Sequence, residues 1–460
     1  MISPMGAATD AITSLVDAHV GRPFPYLLDA GASLRCSYAG SNPVEQLVVR
    51  RDGTSLLWRG NAWNRIDKDP IDTIGSFVDE SEATTRVVRG RAALGSGIPA
   101  RTVGYLAYEL GTWIEDVRPV AADPVGAPLA VLSVYDRVDA LDPASGEITT
   151  LEFVPRRRGR KSDLPVPSDG PALEPSAAGT DRLDLRERYR EGFERIQRAI
   201  AAGEIYQANL TRSIVRSFAG GPIEGYRKLR ARQSAPYGAF LDLRTLAILS
   251  NSPECFLEIA GDEISTYPIK GTRARSDTQE GDVAAISSLT SDPKERAEHV
   301  MIVDLERNDL GRISVTGSVA VRDHAQVLSL ATVHHLVSRV SGRLRGDVAT
   351  ADILRATFPG GSVTGAPKIQ AMRTITEVEP SARGIYTGAV GAFNGPRSVE
   401  LNVAIRTAVV ARGRVVYGTG GGIVADSRLE SEYEETVTKS RAFLDSLGEI
   451  GIVEGREPLS

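Results

Sequence analysis

The chain has 460 residues, 42% hydrophobic and 25% charged, with a formal net charge of −5. That composition is the composition of a soluble globular protein. Its acidic balance excludes a general nucleic-acid or anionic-membrane binder, and no apolar run approaches the roughly 20 residues of a membrane span.

The N-terminus, MISPMGAATDAITSLVDAHVGRP, lacks the basic head and apolar heart of a secretory signal. Cys36 and Cys255 are the two cysteines, and one such pair builds no disulfide framework. A reducing, cytoplasmic setting is expected. Residues 1–154 read as an N-terminal lobe rich in short strands: QLVVRR, SLLWRG and LAVLSVYDRV. Residues 155–181 open with PRRRGRK and continue rich in Pro, Ser and Ala, which reads as a linker or surface loop. A lone basic cluster beside prolines is a solvated loop far more often than a nucleic-acid contact. Residues 182–460 mix strands with helices. One helix starts near Asp184 and carries Leu185, Tyr189, Phe193, Ile196 and Ile200 at three- to four-residue spacing. Two hairpins follow, one joining LEIA to EISTY across Gly261-Asp262, the other joining IRTAVVA to RVVYG across Arg412-Gly413. These elements predict an α+β class with large antiparallel sheets.

The first hairpin carries Glu254 and Lys270 on its flanks. A three-residue loop centred on Asp262 sets them directly opposite, with Cβ atoms about 4.5–5.5 Å apart. A two-residue loop puts them on opposite faces. Their bland role is a cross-strand ion pair. Their chemical role is an amine nucleophile beside a carboxylic acid, which requires the lysine to be neutral. Downstream, Asp292 suits an N-cap and Pro293 a first helical residue. Glu295 and Glu298 then share one helix face, as do Glu432 and Glu435 further on. Each pair alone is compatible with a solvated acidic face. Two facing pairs suit a hard cation such as Mg²⁺. The run FPGGSVTGAPK (358–368) predicts a glycine-rich loop entering a helix near Pro367, whose N–H groups could hold a carboxylate. It is no nucleotide P-loop, because Ala366 stands where that motif needs lysine. TGGGI (419–423) predicts a second loop, between a strand and the helix bearing Glu432. Arg406 lies in a strand and could pair with a carboxylate through two bonds. Of His334 and His335, one is expected to be structural.

From Gly203 to about Leu447 the ordered strings GEIYQANLTR, SPECF, PIKGTRAR, DPKERAEHVMIVDLERNDLGRI, VHHLVS, TFPGGSVTGAPKIQAM, GIYTGAVG, LNVAIRT and GTGGGIVADS resemble the chorismate-utilising enzymes. The N-terminal lobe matches more loosely, through Tyr26–Asp29 and Gly104–Glu109. The resemblance implies that family's fold, with outer helices and two intimately packed lobes. It also implies roles. Glu298 and Glu435 would approach Mg²⁺ most directly, assisted by Glu295 and Glu432, and the ion would hold the ring carboxylate of chorismate. Tyr386, Arg406, Gly421 and Gly422 would fix substrate carboxylates. Thr272 and Gln207 join the substrate-binding set, His335 and Ser362 would line the ring, and Glu254 would be the general acid/base. Members that add water carry a lysine where this chain has Gln207, and an amide cannot replace it as a base. Anthranilate-forming members resemble Pro-Ile-Ala-Gly-Thr around position 270. Members that aminate C4 have Pro-Ile-Lys-Gly-Thr, as here. The resemblance therefore implies formation of 4-amino-4-deoxychorismate, on the route to 4-aminobenzoate and folate. Neither cysteine stands in a glutaminase context, so ammonia is expected from a separate glutamine amidotransferase subunit. The alternatives are anthranilate formation, isochorismate or salicylate formation, and a non-catalytic chorismate-binding homologue.

Overall fold

Strands buried on both faces carry apolar residues at consecutive positions rather than alternate ones. In the run LAVLSV, Ala130, Leu132 and Val134 enter one core while Val131 enters another. The computed structural model describes residues 5–31, 33, 35–89, 100–117, 123–155, 173, 185–232, 234–330, 333–448 and 452–453. Among them are two 12-stranded antiparallel sheets. They pack face to face over Tyr26, Tyr38 and Ile248 of one and Val48, Tyr105 and Val131 of the other. Helices cover the outer faces. Leu15, Leu229, Phe443 and Leu447 lie on the first sheet, and Ile71, Ile74, Val303, Leu310 and Leu354 on the second.

Both sheets are shared between early and late parts of the chain. Tyr26–Asp29 pairs with Tyr237–Asp242 in the first. Thr102–Leu106 pairs with Ala389–Phe393 in the second. The expected strand run LAVLSVYDRV turns at Tyr135-Asp136, so that Ala130–Val134 joins the second sheet and Arg137–Leu141 the first. The helix expected near Asp184 spans Leu185–Ala201, with Tyr189, Phe193 and Ile196 buried and Ile200 packed beside them. Apart from Pro155 and Leu173, the expected linker at 155–181 lies outside the described residues. Among the described residues, no helix is long and apolar enough to cross a membrane.

Both hairpins form with two-residue loops: Ala260 pairs with Glu263, and Ala411 with Arg414. In the second, Arg412 and Gly413 have φ of 51° and 68°. Left-handed backbone at both positions matches the right-handed twist of the flanking strands.

Candidate active site

A strict ladder through the first hairpin would put Glu254 and Lys270 on opposite faces. The ladder does not extend that far. Its pairs run from Ala260↔Glu263 to Glu258↔Ser265, and Pro268 lacks the N–H to continue it. On its other side the chain keeps one register against the strand Val333–Arg343 across Pro268, with Thr266 opposite Val340, Ile269 opposite Val337 and Lys270 opposite Leu336. The irregularity lies beside Glu254, where the strand Cys255–Ala260 shifts register against Ser398–Val403 between Cys255 and Leu257, and a one-residue shift changes the face that the residues beyond it present. The Glu254 carboxyl is buried, takes the Ile269 N–H and the Ser362 hydroxyl, and faces the charge of Lys270. Lys270 Nζ donates to the Ser362 carbonyl at 3.2 Å. Burial pushes the Glu254 pKa up to about 7. Burial also lowers the Lys270 amine, against the pull of Glu254, Glu298 and Glu435 and with help from the Lys439 charge. Both groups are thus moved toward the pH at which they can exchange a proton.

The glutamate pairs sit on two helices that face this lysine. Asp292 caps the Pro293–Gly311 helix, accepting from the Lys294 and Glu295 N–H groups, as its sequence predicts. Glu295 pairs with Arg273 at 3.0 Å, and Glu435 with Lys439 at 2.6 Å. Burial raises Glu298, and the charges of Glu295 and Glu432 raise it further. Burial and Glu435 likewise raise Glu432. Among the described residues, no three His, Cys, Asp or Glu side chains gather into a cage for a metal ion. What faces the site is a set of hard oxygen donors whose mutual repulsion is only partly offset by lysines. That donor set fits a hard divalent cation whose shell is completed by water and a ligand oxygen.

The opposite side is prepared for anions and for a ring. Arg406, expected within a strand, lies instead in the bend between Ser398–Val403 and Thr407–Ala411, at φ 49°; it is half-buried, and its guanidinium has no ion-pair partner among the described residues. Burial lowers its pKa, against the pull of Tyr417. Burial and the Arg406 charge push His335 down to about 4, so its ring is neutral. His335 Nδ1 lies 3.1 Å from the Gly271 carbonyl and 3.0 Å from the Thr272 hydroxyl. A carbonyl only accepts, so Nδ1 carries the proton and Nε2 a lone pair. Nε2 is buried and has no partner. His334 is the structural one, held by Ser329 and Asp282. Both amide atoms of Gln207 are buried and unpartnered too. Buried polar atoms left unmatched by the protein call for a partner such as water or a ligand. The Tyr386 ring packs over Gly418, where an added Cβ would lie 2.2 Å from it.

Two further sequence expectations are corrected here. Gly420, Gly421 and Gly422 form no loop; they continue the strand Arg414–Ile423, with Asn209 opposite Gly422 and Leu210 opposite Gly421. Glycine serves there for close approach. An added Cβ on Gly422 would stand 2.3 Å from Gln207 Nε2, and one on Gly420 would stand 2.5 Å from the Leu210 carbonyl. The FPGGSVTGAPK run does precede a helix, Lys368–Val378. Its Gly361 N–H, however, already binds the protein's own Glu306 at 2.9 Å, and the Val363 and Thr364 N–H groups close onto Gly360 and Gly361 carbonyls. This loop gives the site Ser362 rather than an amide cradle.

Two residues escaped the sequence reading. Lys439 Nζ meets Glu435 and the Gly420 carbonyl, and its charge reaches Lys270, His335 and Glu432. It stands four positions after Glu435, a spacing that shares a helix face and could have flagged it. Arg383 is buried with Glu379 and donates to the Val363 carbonyl at 2.8 Å and the Asn209 carbonyl at 2.6 Å. It thereby ties the Ser362 turn to the Gln207 strand, and no local sequence signal announces that.

The chorismate binding enzyme family matches residues 28–445. The chain is 32% identical over 434 residues to aminodeoxychorismate synthase component 1 of Bacillus subtilis, covering 92% of this chain and 91% of that protein. It is 36% identical over 448 residues to an anthranilate synthase component 1 of Haloarcula marismortui, covering 92% and 87%. The crystal structure of anthranilate synthase component I from Streptococcus pneumoniae superposes with a TM-score of 0.74 at 30% identity, covering 89% and 92%.

Proposed function

Because the chain belongs to the chorismate binding enzyme family, we propose that it aminates chorismate at C4, acting as an aminodeoxychorismate synthase component I. The product, 4-amino-4-deoxychorismate, leads to 4-aminobenzoate and folate. Ammonia comes from a separate glutamine amidotransferase, and the protein works in the cytoplasm. The observation that carries this reading is the buried Lys270 amine, its pKa lowered, in the same pocket as a Glu254 carboxyl poised near neutrality. A site that only bound chorismate would need neither.

In this reading Arg406 pairs with a substrate carboxylate, while Gln207 and His335 Nε2 take the polar groups around the ring. The neutral Lys270 amine forms a bond to C2, and the two ring double bonds shift. The C4–O bond breaks, and the hydroxyl leaves as water with the Glu254 proton. Ammonia then forms a bond at C4, the double bonds shift back, and the Nζ–C2 bond breaks. Dividing one displacement into two eases each. Glu298 and Glu435, with Glu295 and Glu432, would hold Mg²⁺, which when bound neutralises the ring carboxylate and draws charge from the diene.

Anthranilate formation is the second reading, supported by the likeness to the Haloarcula protein. One incubation separates them: chorismate, Mg²⁺ and ammonium, followed by mass analysis. We expect a product that keeps the enolpyruvyl group, and, with ammonium omitted, an adduct on the Lys270 peptide. A product that has lost pyruvate overturns 4-amination.

A further inference from the structure

Glu306 lies on the same helix as Glu295 and Glu298, deeper in the protein, and is 3% exposed. Beside it is Asp309, equally buried, and Lys368 at the start of the Lys368–Val378 helix. Lys368 Nζ is taken up by Asp309 and by the Thr357 carbonyl at 3.1 Å. One ammonium therefore stands beside two buried carboxyls, a setting that disfavours charging both. Burial and the Asp309 charge raise Glu306 well above the usual carboxyl range, while Lys368 and the Gly361 N–H pull against them and Glu254 adds to the rise. Asp309 also feels Arg312 and Glu115.

Glu306 Oε1 accepts the Gly361 N–H at 2.9 Å. The next residue is Ser362, whose carbonyl receives Lys270 and whose hydroxyl reaches Glu254. The turn fits tightly: an added Cβ at Gly361 would lie 2.7 Å from Leu305 and 2.9 Å from Glu306 Oε1. We propose that Glu306 is a positioning residue for the amination, holding Gly361 so that the Ser362 turn aligns Lys270 and Glu254 together. It acts as a hydrogen-bond acceptor and touches no reacting atom. The inference rests on the reading of Lys270 and Glu254 as the reacting pair.

Two variants test it. Glu306→Gln keeps a carbonyl acceptor of the same reach, and Glu306→Leu removes it. The Gln variant should retain near-wild-type kcat. The Leu variant should lose about 100-fold in kcat, as expected when reacting groups shift by an ångström. Its KM for chorismate should change far less than kcat, because Arg406 does not rest on this turn. Wild-type kcat in the Leu variant overturns the proposal. So does an equal loss in both variants, which would make charge rather than the hydrogen bond the cause. A second readout needs no turnover: trace acetylation of Lys270 against pH, read by peptide mass. The Leu variant should shift the Lys270 titration and the Gln variant should not; an unmoved titration in Leu overturns the proposal. If the wild type makes no aminated product while the titration responds as stated, the amination reading fails and the positioning role stands. Should the Leu variant not fold, Glu306→Asp withdraws the acceptor by one methylene; it must show the same kcat-selective loss, and wild-type kcat there overturns the proposal.

Discussion

At the scale of single residues, Glu254 shows how a reactive group is set against stability. Its carboxyl is raised from 4.5 to about 7 by burial. Between those values the unfolded chain releases a proton that the folded protein keeps, so stability falls as pH rises across that window and levels off above it. The full effect is about 3 kcal/mol. Glu254→Gln can still accept the Ile269 N–H and has nothing to ionise. We expect it to melt higher than the wild type at pH 8 and equally at pH 4, while kcat falls about 10²–10⁴-fold. Thermal melts at the two pH values check the first part, and a lower melting temperature at pH 8 would contradict it. Both groups could be picked out from the sequence, since a lysine and a glutamate flank one short hairpin. Why they meet could not be. The meeting depends on a register shift between Cys255 and Leu257 against a strand far downstream, Ser398–Val403.

Among elements, the strand Arg414–Ile423 makes the sharpest distinction between neighbouring positions. An added Cβ on Gly422 collides with Gln207, whereas one on Gly421 would meet no atom closer than Glu432 at 3.5 Å. Gly422→Ala should therefore displace the Gln207 amide and lower kcat/KM by about tenfold or more, while Gly421→Ala, whose methyl meets only the Glu432 and Glu435 carboxylates, should leave Gln207 in place and cost less. Steady-state kinetics on the two variants decide this, and equal effects would argue against Gln207 as a ligand-facing residue. Three successive glycines read locally as a turn, because glycine is the commonest punctuation between elements. That they run within a strand depends on what lies across from them, which is the strand Gln207–Phe218. The Glu295/Glu298 helix was legible to its cap because its signals, Asp292 and Pro293, are local. So were the second hairpin and the Leu185–Ala201 helix.

For the molecule as a whole, a divalent cation held by the four glutamates, as proposed, would add to stability. Mg²⁺ binding only the folded chain should raise its melting temperature, by the equivalent of about 2.7 kcal/mol at a hundred times Kd. The rise should vanish in Glu298→Gln and in Glu432→Gln, and EDTA should stop chorismate turnover. A thermal shift titration without chorismate checks the first point; an undiminished shift in both variants would place the ion elsewhere. Class and site legibility came from ordered local strings, which is how Glu254, Lys270 and Ser362, far apart in sequence, could be named before the structure showed them in contact. The interleaving of the two sheets had no local sign, since the partner of Tyr26–Asp29 is Tyr237–Asp242 and that of Thr102–Leu106 is Ala389–Phe393.

That interleaving sets a timetable for synthesis. Strands made first must wait on the ribosome for partners made last, because Thr102–Leu106 has no neighbour on one side until Ala389–Phe393 emerges. Contacts of such long sequence separation are slow to form and leave apolar strand edges uncovered meanwhile. The nascent chain therefore carries unpaired strand edges through most of its translation, and a ribosome stalled before residue 389 would hold a polypeptide with neither sheet complete.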